Sequence, residues 1–240
     1  CYTAMGIVYW YQGFSNKAID YYKKNIAISL ETKDENGLAA SYGNIAIIFD
    51  ERKDLENALL YYQKALVIFE KNKRAQQTAA CLDNMSLVYK QKKEYKTAFE
   101  FNLRSYKLRE SIGDTIGMLA SMENLGGIFI SLKKFDEAIQ ISERVVEIAN
   151  RLGAKEDVKY AYINLKEAYE AKKDYPAANS ILNKLMDIKD SLRNIENANQ
   201  IAELETKFKT KEKEIELSEV KLIQQLRDKE NSEQLKRKNY

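Results

Sequence analysis

Four asparagines stand 40 residues apart, at Asn44, Asn84, Asn124 and Asn164. A primary amide carries two donors and an acceptor, so one asparagine pairs with both the N–H and the C=O of a single residue in an extended chain. One asparagine per structural repeat would therefore hold a peptide main chain whatever its side chains. The competing use is internal: each amide bonds the neighbouring helix and sets the angle between repeats. The spacing leaves both uses open. Ile47 and Leu87, 40 apart, and Trp10 in the first unit are apolar neighbours, and Asp83 and Glu123, also 40 apart, are acidic ones. These nine residues form the candidate peptide-binding set.

Other chemistries lack their parts. The chain has no histidine, which removes the commonest general base, metal ligand and pH switch. Its two cysteines, Cys1 and Cys81, fit no metal spacing and no disulfide framework. No glycine-rich phosphate loop follows a strand. Carboxylates are plentiful but follow solvated helix faces. The expectation is a chain that is not an enzyme and takes no cofactor or metal. Net charge is +3 with signs mixed, and no basic block is interleaved with aromatics, so no nucleic-acid partner is expected.

The elements that carry the asparagines are helices. There is one proline, Pro176, in 240 residues, and only nine glycines. Further series share the 40-residue register: Tyr9, Phe49, Tyr89, Phe129 and Tyr169; Ala18, Ala58, Ala98, Ala138 and Ala178; Ile28, Ile68, Leu108, Ile148 and Ile188. Within one unit, Ile45, Ala46 and Phe49 share a helical face. Asp50 to Asp54 form a polar break, and Leu55, Ala58, Leu59, Tyr62, Ala65, Leu66 and Phe69 trace a second amphipathic helix. Each unit is thus read as helix A, a short turn and helix B. The alanine series lets A and B approach closely, against Gly6, Ala46, Ser86 and Gly126 on helix A. The aromatic series fills the space beside that contact. Gly113 and Gly153 sit where a helix C-terminal glycine belongs, and Pro176 fits the first turn of the last helix B.

The run Tyr42, Ile45, Ala46, Phe49, Ala58, Tyr62, Ala65 resembles the tetratricopeptide repeat, over roughly residues 2 to 190. The resemblance implies an all-α, right-handed solenoid of about five helix hairpins, with units near 2–41, 42–81, 82–121, 122–161 and 162–190. It also implies a protein or peptide partner, held in a groove lined by the A helices. Peptide receptors of this kind use asparagines at the positions of Asn44, Asn84, Asn124 and Asn164. The lysines and asparagines of a two-carboxylate clamp are missing: Gly43, Asp83, Glu123, Ile47 and Leu87 stand there instead. The period is 40 rather than about 34, so helices or connections must be longer.

From about Asp190 the register stops. Residues 191–208 are expected to cap the array through Leu192, Ile195, Ala198, Ile201, Ala202, Leu204 and Phe208. Residues 209–240 read as a charged helix, with Phe208, Ile215 and Leu222 seven apart as a weak coiled-coil stripe. That stripe gives two readings, a solvated single helix or a homodimer through the C-terminal helix. The segment Ile201-Ala-Glu-Leu-Glu-Thr-Lys-Phe208 after such an array resembles the sensory region of bacterial membrane-anchored histidine kinases and helix-turn-helix regulators. The ending Lys236-Arg-Lys-Asn-Tyr240 is similar to the edge before a membrane span. The resemblance implies an extracytoplasmic sensory domain in two-component or transcriptional signalling; a cytoplasmic scaffold or peptide receptor is the alternative. Because the helical pattern is already running at Tyr2 and the first residue is Cys1, the chain is expected to be a fragment, with a lipid-bearing Cys1 as the other reading.

Overall fold

A computed structural model of the chain describes residues 2–238, which form ten helices with no strand among the described residues. They are α1 Tyr2–Tyr11, α2 Ser15–Thr32, α3 Glu35–Glu51, α4 Leu55–Lys71, α5 Ala75–Gln91, α6 Tyr95–Ser111, α7 Thr115–Ser131, α8 Phe135–Leu152, α9 Lys155–Ala171 and α10 Tyr175–Lys238. The chain divides into two units, Cys1–Ile188 and Lys189–Tyr240. The first holds the hairpins and is the all-α solenoid expected from the sequence.

A turn of constant length sets the repeat. Residues 13, 33, 53, 73, 93, 113, 133, 153 and 173 all have positive φ, one every 20 residues. Each such residue follows a helix C-terminus. In the turn after α3, the Lys53 N–H donates to Asp50 O (2.9 Å) and the Asp54 N–H to Phe49 O (2.9 Å). That is the paired bonding of a Schellman motif, which satisfies carbonyls the helix leaves free. The next residue then caps the following helix. Asp34, Asp54, Asp114 and Asp174 accept from the backbone N–H of Gly37, Asn57, Gly117 and Ala177 respectively. A helix of 17 residues plus a three-residue turn gives 20, and two such halves give the period of 40. Turns within and between hairpins are therefore built alike. The hairpins also start earlier than the periodicity suggests. Helix A opens at 35, 75, 115 and 155, not near 42, 82, 122 and 162. In α3, α5 and α9 its first turn is polar or small, as in Glu35-Asn-Gly, and carries little apolar stripe to read.

Within hairpins the small-residue contact forms. Ala18, Ala58, Ala98 and Ala138 are wholly buried, as are Ala46 and Ser86 on the facing helices. The Ser86 hydroxyl donates to the Ala98 carbonyl at 2.8 Å, directly across α5 and α6. Beside this contact the aromatic of helix A stacks on one from helix B: Tyr9 on Tyr21, Phe49 on Tyr61 and Tyr89 on Phe101, with centroids 5.1–5.5 Å apart. Between hairpins, α5 packs on α7 and α7 on α9, whereas the B helices make no comparable contact with each other. The A helices line one face of the array, here called the inner face. Ion pairs recur at a fixed offset: Glu35 with Lys71 inside one hairpin, and Glu56 with Lys92 at 2.8 Å and Asp136 with Lys172 between successive hairpins. At exposed positions each contributes little alone.

In the second unit, Leu192 is half-buried, while Ile195, Ile201, Leu204, Phe208 and Ile215 are exposed. The side chains of Leu222 and Leu226 lie outside the described residues, as do Cys1, Asn239, Tyr240 and the side chains of Lys236 to Lys238.

Six of the nine positive-φ positions hold lysine rather than glycine, and a left-handed residue with a Cβ is strained by about 1 kcal/mol or more. Lys53→Gly should raise the urea-unfolding free energy by about 0.5–1 kcal/mol. Gly153→Lys should lower it by about 1 kcal/mol; its Cβ would meet open space, so the cost is purely backbone.

Candidate functional site

The candidate residues separate into a free set and an engaged set. Asn44, Asn84 and Asn124 are half-buried on helices α3, α5 and α7, and none makes a side-chain hydrogen bond to the described residues. Their helices place them one per hairpin on the inner face. Asn164 is different. Its Nδ2 donates to the Glu123 carbonyl at 2.9 Å, joining α9 to α7. One member of the ladder is thus structural and three are available. Ile47 and Leu87 are half-buried, one turn further along α3 and α5, and Ile47 packs on the main core.

Trp10 is also held. Its indole N–H donates to Glu51 Oε2 at 2.8 Å, bridging α1 and α3, and its ring packs on Tyr11 and on the first core cluster. The equivalent bridge one unit on runs from Gln91 Nε2 to Asp50 Oδ1, 2.8 Å, with Lys53 donating to Gln91 Oε1. A row of polar bridges therefore closes one end of the inner face.

Asp83 requires a correction. It does not face a ligand: it is 6% exposed and points between α5, α6 and α7. It receives the Asn102 amide at 2.8 Å, the Ser121 hydroxyl at 3.0 Å and the Arg109 guanidinium at 2.9 Å. Arg109 also reaches Asp114 at 2.8 Å. Burial pushes the Asp83 carboxyl up, against Arg109 and the serine hydroxyls, which favour the anion. Gly117 leaves the room this needs, since a Cβ there would lie 1.6 Å from Arg109 Nη1. From sequence Asp83 shares the register of Gly43 and Glu123. The partners that turn it inward come from two other helices.

Glu123 sits at the α7–α9 contact. Its Oε1 is buried without a hydrogen-bond partner among the described residues. Burial first, then the adjoining Asp157 carboxyl, push Glu123 up to about 8, while Lys159 opposes this. At neutral pH the carboxyl holds a proton. Beside it, Lys90, Asn124, Gly127, Tyr160 and Asn164 line an inner-face pocket of about 270 Å³. Burial pushes the Lys90 ammonium down, against Glu167. Asp157 and the pocket around Gly127 were not among the candidates. The signal for the pocket was in the sequence: the position of Ile47 and Leu87 becomes Gly127 in the next unit. Cys81 is buried, and its thiol is pushed up to about 12, so it is inert.

Stacked hairpins with a lined inner face define a helical-repeat scaffold. The family model described as tetratricopeptide repeat matches residues 2–71 and 117–191, more than half of the chain, and the chain belongs to that family. No curated protein matches it in sequence. Solved structures share the fold. BtubC (BKLC) from P. vanneervenii is 20% identical with a TM-score of 0.72, over 80% of each chain. Aspartyl phosphate phosphatase F from Bacillus subtilis is 16% identical with a TM-score of 0.72, over 81% of this chain and 51% of that one. A Rap protein complexed with competence and sporulation factor is 18% identical with a TM-score of 0.67, over 78% and 52%. At these identities the likeness concerns the fold alone.

The raised Glu123 carboxyl has a stability consequence. Its folded form binds a proton more tightly than the unfolded chain does, so stability falls as pH rises from about 4.5 toward 8. Glu123→Gln should leave the melting temperature nearly unchanged at pH 5 and raise it relative to the parent at pH 8.5, measured by calorimetry.

Proposed function

We propose that the inner face of the hairpin array binds an extended segment of a partner protein or a free peptide. The observation that carries this is the set Asn44, Asn84 and Asn124: half-buried amides, one per hairpin, with no hydrogen bond of their own to the described residues. A half-buried amide without a bond inside the fold keeps its donors and acceptor for a ligand's main chain. Ile47 and Leu87 beside them offer apolar contact for side chains on one edge of such a segment. The Rap protein in complex with a factor has the same fold, which supports a binding role for an array of this shape. The scaffold acts in this reading by binding, not by catalysis.

A finer reading places the array as the sensory region of a membrane-anchored bacterial regulator. The segment 201–208 supports it, together with the continuation of α10 to Lys238 as one helix of 64 residues. No helix among the described residues is long and apolar enough to cross a membrane, so this reading needs a span elsewhere in the gene. The exposed residues Ile201, Leu204, Phe208 and Ile215 would support pairing of two such helices.

Binding of a degenerate library of N-acetylated, C-amidated hexapeptides tests the main reading. The parent protein should retain a subset of peptides. Asn84→Ala and Asn124→Ala should each weaken the retained peptides by about tenfold. Retention unchanged in the double variant would remove the asparagines from the interface.

A further inference from the structure

The ridge of side chains along the inner face has a gap. Ile47 on α3 and Leu87 on α5 are followed in register by Gly127 on α7. Lys90 reaches into that gap from α5. Its Nζ lies 2.6 Å from where a Gly127 Cβ would stand, so only the absence of a side chain admits it. The Lys90 ammonium makes no hydrogen bond or ion pair among the described residues, although it is more than half enclosed. The nearby anions are poorly placed to neutralise it. Glu123 is turned toward Asp157, with Oε1 sealed from solvent. Glu167 acts on Lys90 only through space and is itself exposed.

Glu123, Tyr160 and Ile163 complete the lining, and two amides supply its other polar groups. Asn124 lines it with a free amide, and Asn164 is pinned by its bond to the Glu123 carbonyl, with its Oδ1 3.7 Å from the Gly127 Cβ position. An enclosed, unpaired ammonium beside a free amide donor lacks one thing, an anionic acceptor with two oxygens. A carboxylate supplies it, taking one bond from Lys90 and one from Asn124. A pocket of about 270 Å³ holds a carboxylate and the few carbons that carry it.

We propose that the pocket between α5, α7 and α9 is a carboxylate subsite of the inner face, in which Lys90 and Asn124 receive an acidic side chain or C-terminus of the bound segment. This rests on the peptide reading above and adds a chemical preference to it. Gly127 is the residue that makes the subsite, by leaving the space that Lys90 occupies.

The test uses the full chain and four peptide sub-libraries. Two are C-amidated, with one central position fixed as Glu or as Gln. Two have random sequence, with a free C-terminal carboxylate or its amide. Tighter binding of the Glu set over the Gln set, by about tenfold, supports a side-chain carboxylate. The same gain for the free-acid set over the amides supports a C-terminal one. Lys90→Met should abolish whichever preference appears. Gly127→Ala should abolish it too, while keeping or raising the melting temperature, because the added methyl displaces only the flexible end of Lys90. Equal affinity for acidic and neutral sets, or a preference that survives Gly127→Ala, overturns the proposal and leaves peptide binding intact. Should no peptide bind, the peptide reading fails, and sodium propionate decides the subsite alone. A saturable shift of the Lys90 Cε resonance in 13C-lysine-labelled protein, absent in Asn124→Ala, supports it; no shift at high concentration overturns it.

Discussion

The close contact between helices A and B, made possible by a methyl group at Ala18, Ala58, Ala98 and Ala138, is the constraint on which the rest depends. All four are fully buried, and at one of them a serine from the facing helix bonds the backbone itself. Larger side chains there would force the pair apart by more than a core can absorb. With the pair closed, the stacked aromatics have a defined gap to fill, and the apolar faces of successive hairpins can meet. No hairpin buries its own surface, so the array is stable only as a stack.

Equal half-repeats convert that local contact into a surface. Because each helix of 17 or 18 residues and the two- or three-residue turn after it together span 20 residues, each A helix presents the same positions to the same side. This is why the asparagines fall in line, and why one missing side chain, at Gly127, opens a pocket instead of being lost in irregular packing. It is also why a buried ionic group is tolerated at Asp83. Asn102, Ser121 and Arg109 arrive from two neighbouring helices at repeat-determined places and satisfy it.

The repeat, the helical class, the alanine contact and the aromatic series were legible in the sequence, because each is a period of identical demands. What was not legible depends on which neighbour a side chain meets. Asn164 and Asn84 are the same residue in the same register. Only Asn164 has the preceding A helix close enough to accept its hydrogen bond, since α9 packs on α7 more tightly than α7 on α5 or α5 on α3. Asp83 and Glu123 also share a register, yet one meets an arginine and the other an aspartate. The phase of the hairpins was hidden for a different reason. The first turns of α3, α5 and α9 are polar or small, so those helix starts carry little hydrophobic signal.

The account places a ligand's main chain along the inner face, on three free amides. Two-dimensional NMR of asparagine side-chain NH2 groups during titration with a retained peptide measures this directly. The account predicts saturable shifts at Asn44, Asn84 and Asn124 with one common affinity, and little change on the outer helix α4 around Leu60 and Val67, which are exposed there. Shifts gathered around Leu60 and Val67, with the three asparagine amides unmoved, would contradict it.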